Sequence, residues 1–210
     1  MTETSEQEKF AREAGVSRET MARLEIFEAL LRKWNPAINL VAKSTLDAVW
    51  ARHFRDSAQV FHLAAPQTGI WADLGSGGGF PGLVIAILAA EKAPGLAVVL
   101  LESDARKAAF LATVARETGV SPRILTDRIE SAAPLRAHFL SARALAPLPK
   151  LLEYAERHLL PNGTAFFSKG DRWRDEISAA ERIWRFEATA HPSMTGANSA
   201  ILEVKGVARA

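Results

Sequence analysis

The sequence has no cysteine, a single tyrosine and no long apolar run. Without cysteine there is no disulfide framework, no thiolate nucleophile and no cysteine-ligated zinc. The longest apolar stretch, residues 83–90, is far shorter than the ~20 residues that span a bilayer. Residues 1–15 are charged and lack the apolar core of a signal peptide. We therefore expect a soluble, cytoplasmic protein.

Length and charge bound the architecture only loosely. A chain of 210 residues, 48% of them hydrophobic, accommodates one α/β domain and a small accessory element. The net charge of +2 neither requires nor excludes a nucleic-acid partner. We expect a monomer.

The first part of the chain has helical periodicity. Between residues 5 and 63, apolar residues such as Leu24, Phe27 and Leu31 recur at spacings of three and four. Pro36 is expected to break this period, and a second helix is expected to begin at Ser44 or Thr45, where a hydroxyl can cap it. We predict a helical N-terminal extension over residues 1–65.

Strand and helix patterns alternate after residue 66. We predict strands at 70–74, 97–101, near 124, 139–141, 164–167, 184–190 and 200–204, with helices at 81–90, 105–117, 148–160 and 171–180. Such alternation is typical of a mostly parallel sheet with helices on both faces. The sequence thus predicts a Rossmann-like α/β domain over residues 66–210.

A glycine-rich loop, DLGSGGGFPG at residues 73–82, follows the first predicted strand and opens a helix. Glycines permit positive φ and let a ligand approach the backbone, and the helix N-terminus offers free N–H groups to an anion. We expect the loop to bind a small ligand through Asp73, Gly75, Gly77 and Gly79.

Two ligands are compatible with the loop. Gly77, Gly79 and Gly82 satisfy the dinucleotide spacing G-x-G-x-x-G. Pro81 removes an N–H that a pyrophosphate needs, however, and Asp73 places negative charge near the phosphates. S-adenosylmethionine carries an ammonium and a sulfonium, so these features favour the methyl donor over a nicotinamide without excluding the latter.

Glu102 ends the second strand, where its carboxylate is placed to accept hydrogen bonds from ribose hydroxyls. Both candidate ligands contain ribose. The alternative interpretation is a helix-capping group or a partner of Arg106.

An ordered set of short motifs resembles one known family. The set comprises Trp34-Asn35, Asn39-Leu40, His53 with Asp56-Ser57, the glycine loop, Glu102 with Arg106-Lys107 and Phe110-Leu111, Arg143-Ala144 and Lys169-Gly170. It resembles the bacterial small-subunit ribosomal RNA guanine-N7 methyltransferases, RsmG, also known as glucose-inhibited division protein B.

The resemblance implies an S-adenosylmethionine-dependent methyltransferase that acts on a guanine in the decoding region of 16S rRNA, as free RNA or in the 30S subunit. It also implies that Gly75 and Phe80 line the donor site, that Glu102 binds ribose and that Ile129 and Glu130 lie beside adenine. Arg143 is expected at the pocket mouth.

Guanine N7 has an in-plane lone pair and carries no proton, so direct attack on the methyl group requires no general base. We expect Arg143, Lys169, His53 and Asn39 to position the acceptor. By residue type alone, a solvated charge is an equal alternative for Lys169, and turn or capping roles are favoured for the polar residues near Pro36 and in the following helix, namely Asn35, Asn39, His53, Arg55, Asp56 and Ser57. No spacing predicts a metal site.

Trp173 and Trp184, beside several arginines, are expected mainly to pack on the sheet, with RNA stacking as the alternative. A nicotinamide-dependent oxidoreductase and a non-catalytic ribosome-binding protein are the competing hypotheses.

Overall fold

The computed structural model, which describes residues 5–210, consists of an N-terminal group of helices followed by alternating strands and helices. The helices are α1 (Glu6–Ala14), α2 (Arg18–Ile38), α3 (Lys43–Leu46), α4 (Arg55–Ala64), α5 (Gly82–Lys92), α6 (Ala105–Thr118), α7 (Leu148–His158) and α8 (Trp173–Ala180). The strands are β1 (Thr68–Leu74), β2 (Gly95–Leu101), β3 (Arg123–Leu125), β4 (Ala137–Arg143), β5 (Leu159–Lys169), β6 (Trp184–Pro192) and β7 (Ala200–Arg209).

The seven strands form one sheet in the order β3-β2-β1-β4-β5-β7-β6. The pairs among β1 to β5 are parallel, whereas β7 runs antiparallel to both β5 and β6. The chain leaves β1 toward β2 on one side and later returns to place β4 on its other side. Ligands collect at the carboxyl ends of strands at such a switch point. The predicted mostly parallel α/β fold is confirmed.

Helices cover both faces of the sheet. Neighbouring residues of a strand point to opposite faces, so Leu100 and Phe166 enter one core while Leu101 and Phe167 enter the other. The first core is shared with α1, α2, α4, α5 and α6, and the second with α7 and α8. Burying a phenylalanine in either core contributes about 1.5–3 kcal/mol relative to leaving it exposed.

The N-terminal extension packs on the first face. Phe27 of α2 stacks on Phe80, with 5.0 Å between ring centroids, and Phe54 contacts both rings edge-on. Residues of the extension and of α5 and α6 therefore belong to a single core. Among residues 5–210, no helix has the length and apolar character needed to cross a membrane.

Two details of the extension differ from the sequence predictions. Helix α2 continues through Pro36 to Ile38 and is capped by Asn39, whose φ of 47° is left-handed and whose N–H donates to the Asn35 carbonyl. Proline removes one N–H late in the helix, so the turn survives for two more residues. Ser44 and Thr45 lie inside the four-residue α3 and do not cap it, and a π-helical turn, Trp50–Phe54, leads into α4.

Candidate active site

The glycine loop turns sharply where β1 ends. The Gly75 and Ser76 N–H groups both donate to the Leu101 carbonyl, at 2.8 and 3.1 Å, which ties the loop to the end of β2. Gly75 has a φ of 64°, and a Cβ there would lie 2.7 Å from Leu145. Only glycine meets both conditions without strain.

Gly77 and Gly79 have different surroundings although both have positive φ, 52° and 88°. A Cβ at Gly77 would meet only the Gly75 carbonyl, at 3.6 Å, because the residue faces a cavity. A Cβ at Gly79 would lie 2.6 Å from Leu83 and 3.0 Å from Phe27. Gly77 therefore leaves room for a ligand, whereas Gly79 leaves room for helix packing.

Glu102 ends β2, as the sequence predicts, and holds the loop. Its Oε2 accepts from the Gly77 N–H and its Oε1 from the Asp104 N–H, both at 2.8 Å. The capping group of α6 and the partner of Arg106 is Asp104, so the alternative interpretation of Glu102 does not apply. The carboxylate retains lone pairs toward the cavity, because each oxygen accepts one hydrogen bond from the protein.

A cavity of about 280 Å³, called the donor cavity below, lies beside the loop. Of the residues predicted to bind the donor, those that line it are Gly75, Gly77, Glu102, Ile129 and Glu130. Sequence reasoning missed Tyr154, the single tyrosine, which reaches the cavity from α7. Its hydroxyl donates to Glu130 Oε1 at 2.6 Å. Burial and this bond raise the pKa of Tyr154 to about 12, so the hydroxyl keeps its proton.

Asp73 lies beneath the loop and outside the donor cavity, with 1% of its surface exposed. Its Oδ1 accepts from Ser141 Oγ at 2.7 Å, and the same hydroxyl accepts from the Trp71 indole at 2.9 Å. Oδ2 is buried without a partner among the described residues. Burial raises the pKa of Asp73 to about 6. The structure thus gives Asp73 a supporting position and not direct contact with a ligand in the cavity.

A second cavity of about 440 Å³, called the acceptor cavity below, adjoins the first, since Ala144 lines both. Arg143, His53 and Lys169, three of the four residues predicted to position the acceptor, line it. The fourth, Asn39, does not, because its backbone forms the end of α2. Arg143, predicted also as a donor contact at the pocket mouth, faces the acceptor cavity instead.

Arg143 begins a directional chain of hydrogen bonds. Its Nη1 lies 2.7 Å from His53 Nδ1, and His53 Nε2 lies 2.9 Å from Thr45 Oγ1, which in turn donates to the Ala42 carbonyl at 2.8 Å. Since a guanidinium only donates, Nδ1 must accept and Nε2 must carry the hydrogen. Burial, assisted by Arg143, lowers the pKa of His53 to about 3. His53 is therefore neutral, and both ring nitrogens are engaged.

Phe80 faces the acceptor side and not the donor cavity. Its ring lies 5.0 Å from the His53 ring, and the Arg143 guanidinium sits 5.1 Å above its centroid. With 4% of its surface exposed, Phe80 forms a floor for these two side chains. The prediction that it lines the donor site has no support in this geometry, because Phe27 and Phe54 pack around the ring.

Lys169 is not a solvated charge, one of the two alternatives that the sequence left open. Its side chain is 9% exposed, with Nζ 2.6 Å from Glu176 Oε2 and 3.0 Å from the Ala146 carbonyl. Glu176 Oε2 also accepts from the Leu148 N–H at 2.7 Å, at the start of α7. The pair therefore joins the end of β5 to α7 and α8.

The remaining polar candidates near Pro36 serve local structure. Asn35 Oδ1 accepts from the Leu40 and Val41 N–H groups, and Arg55 forms a two-pronged ion pair with Glu13, with both distances 2.7 Å. These contacts match the interpretation of Asn35 as a capping group.

Around α8, Trp184 is 3% exposed and lies in the second core, whereas Trp173 packs at its edge beneath Arg174. His158 and His191 hydrogen-bond to the Ile129 carbonyl and to Glu203. Within residues 5–210, no group of three His, Asp or Glu side chains is arranged to hold a metal ion.

Comparison with known proteins identifies the family. The family described as GidB, rRNA small subunit methyltransferase G, matches residues 20–204. The chain belongs to this family. A ribosomal RNA small subunit methyltransferase G from Ruegeria sp. (strain TM1040) is 53% identical over 197 residues, which cover 94% of this chain and 96% of the relative. The one from Rhodospirillum centenum is 52% identical over 92% of this chain and 88% of its own length. Membership favours a methyltransferase over the oxidoreductase and non-catalytic hypotheses.

Solved structures show the same fold at low sequence identity. A methyltransferase from Geobacter sulfurreducens superposes with a TM-score of 0.59 at 14% identity, covering 88% of this chain and 90% of that one. An RNA methyltransferase from Salinibacter ruber, solved with S-adenosyl-L-homocysteine, gives a TM-score of 0.52 at 18% identity over 70% of this chain and 87% of that one. The architecture is that of S-adenosylmethionine-dependent methyltransferases.

Proposed function

We propose that this protein transfers a methyl group from S-adenosylmethionine to N7 of a guanine in the decoding region of 16S rRNA. The observation that carries the proposal is the junction of two cavities at Ala144, one lined by the glycine loop and the other by Arg143 and His53. Family membership supports the reaction class, and the sequence resemblance supports the acceptor atom.

The donor cavity fits a nucleoside. Glu102 supplies acceptors for ribose hydroxyls, while Ile129, Glu130 and Tyr154 form the wall against which a base would lie. Gly77 leaves space for close approach to the backbone. When bound, S-adenosylmethionine supplies an electrophilic methyl group on a sulfonium. The contribution of these residues is to hold and orient the nucleoside.

The acceptor side requires positioning more than proton transfer. Guanine N7 carries no proton, and His53, which lines the cavity, offers no free base because it is neutral and bonded at both nitrogens. Arg143 uses one N–H group on His53, and its other N–H groups face the cavity as donors for O6 or a phosphate. Holding the base in line with the methyl group is the main contribution expected of this site.

The test is transfer of labelled methyl from S-adenosylmethionine to 30S subunits, or to naked 16S rRNA, from cells that lack the activity, followed by mapping of the modified base. Label on N7 of one guanine supports the proposal, and label elsewhere or none refutes it. Comparing the two substrates also shows whether RNA or subunit is the partner.

We propose a cytoplasmic location, where ribosomes are assembled. Gel filtration tests the expected monomer.

Arg143→Ala provides the residue-level test. We expect methyl transfer to fall by about a hundredfold, since correct placement of the acceptor is lost, while S-adenosylhomocysteine affinity and the fold are retained. Arg123→Ala, at an exposed position in β3, is the matched control and should retain full activity. Full activity of the Arg143 variant would remove this residue from the acceptor site.

A further inference from the structure

Asp56 is the only acidic residue among the described residues that line the acceptor cavity. It lies on α4 with 7% of its surface exposed. Its Oδ1 accepts from Ser193 Oγ at 3.0 Å and from Thr195 Oγ1 at 3.4 Å, so the turn between β6 and β7 is fastened to this oxygen. Any ligand in the cavity therefore meets one carboxylate.

The second oxygen, Oδ2, has no such role. In the part of the chain that the structure describes, Oδ2 forms no hydrogen bond and the carboxylate forms no ion pair within 4.0 Å, although its charge acts on that of Arg143. Oδ2 is also not sealed from its surroundings, unlike the unpartnered Asp73 Oδ2. An accessible carboxylate oxygen to which the protein supplies no donor has its lone pairs free for a ligand that brings N–H groups.

Guanine presents its polar groups in a fixed order around its edge. N7 and O6 are acceptors, and the next positions, N1–H and the exocyclic N2 amino group, are donors. When N7 faces the donor cavity, the N1–N2 edge faces away from it. Asp56 has a compatible place, because it lines the acceptor cavity and does not line the donor cavity.

We infer that Asp56 selects guanine by accepting hydrogen bonds from N1–H and the N2 amino group, while Arg143 faces O6. This inference rests on the proposed function and assigns substrate specificity to one residue. The free Oδ2 has lone pairs for both donors, which lie side by side on the edge of guanine. Adenine in the same pose presents its amino group to Arg143 and the acceptor N1 to Asp56, so both contacts become repulsive.

Asp56→Asn should remove the recognition of guanine while keeping the support of the turn at residues 193–195. The amide oxygen still accepts from Ser193 and Thr195, but the NH2 group that replaces Oδ2 opposes the N1–H and N2 donors of guanine. We expect transfer to fall by about a hundredfold, with unchanged thermal unfolding and unchanged S-adenosylhomocysteine affinity. Asp175→Asn, the same change at an exposed position in α8 that lines neither cavity, is the matched control and should retain full activity.

A second measurement uses 16S rRNA in which inosine replaces the guanine that the wild-type protein methylates. Inosine lacks only the N2 amino group, so wild-type transfer should fall by about tenfold or more if a charged acceptor reads that group. In Asp56→Asn the inosine penalty should nearly vanish, and in the control Asp175→Asn it should persist. An equal penalty in wild type and Asp56→Asn overturns the inference, however weak the Asn variant is on guanine. No transfer by the wild-type protein to any guanine would instead refute the proposed function.

Discussion

Gly77 and Gly79 lie two residues apart in the same loop, yet alanine at each position should damage a different property. Placing a Cβ at a left-handed φ costs about 1–2 kcal/mol at either site. At Gly77 the new methyl group meets only one carbonyl of the protein, at 3.6 Å, and enters the donor cavity. We expect Gly77→Ala to unfold about 1–2 kcal/mol more easily and to bind S-adenosylhomocysteine at least about tenfold more weakly, equivalent to about 1.4 kcal/mol.

Gly79→Ala has the opposite profile. The added Cβ would lie 2.6 Å from Leu83 and 3.0 Å from Phe27, so overpacking of about 1–3 kcal/mol adds to the backbone strain. The total loss of stability is then roughly 2–5 kcal/mol. Because Gly79 does not line the donor cavity, affinity measured on the folded protein should stay within about threefold.

Urea unfolding without ligand gives the two stabilities, and calorimetry with S-adenosylhomocysteine gives the two affinities. We predict that Gly79→Ala is the less stable variant and Gly77→Ala the weaker binder. If Gly77→Ala binds as tightly as wild type, or if Gly79→Ala is the weaker binder, the loop does not divide its roles in this way.

Two further predictions concern buried charge. The pKa of His53 is lowered from 6.5 to about 3, so its contribution to stability is present above pH 6.5 and is lost as pH falls toward 3. The pKa of Asp73 is raised from 3.8 to about 6, so its contribution is present below pH 3.8 and is lost as pH rises through 6. The check is the difference in free energy of urea unfolding between each variant and wild type. This difference should favour His53→Asn more at pH 4 than at pH 7, and Asp73→Asn more at pH 7 than at pH 4. A difference that does not change with pH would disprove the assignment. Lys169→Met should lower the free energy of unfolding by roughly 2 kcal/mol because it leaves Glu176 unpaired. The double variant with Glu176→Leu should lose less than the sum of the single changes, and strict additivity would show that the pair is not coupled.

The sheet and its order of elements could be predicted because strand and helix periodicities differ and the glycine loop marks their junction. Element ends were less accessible. Pro36 was expected to end a helix that in fact continues to Ile38, since the loss of one late N–H is small beside the packing of α2 on the first core. The π-helical turn at Trp50–Phe54 has no signal in the local pattern; it buries Trp50, His53 and Phe54, and its two aromatic residues belong to the core shared with other helices.

Positions at strand ends beside the two cavities could be predicted from the sequence, whereas the direction of side chains could not. Glu102 and Arg143 both follow from their places at the ends of β2 and β4, but the sequence does not show that Arg143 turns toward His53, 90 residues away along the chain. Phe80 and Gly79 belong to the loop motif, yet both face the N-terminal helices. Tyr154 was missed because a lone tyrosine on an amphipathic helix resembles any core residue.

The stacking of Phe27 on Phe80 also bears on how the protein is made. Synthesis proceeds from the N-terminus, so Phe10, Phe27 and Phe54 leave the ribosome before Phe80 and Phe110, the rings that complete their cluster. Until then the early helices hold an apolar face with nothing to cover it. The apolar face of the extension is therefore covered only after Phe80 and Phe110 have emerged, and the acceptor cavity, which Ser193, Thr195 and Ala200 also line, is completed later still.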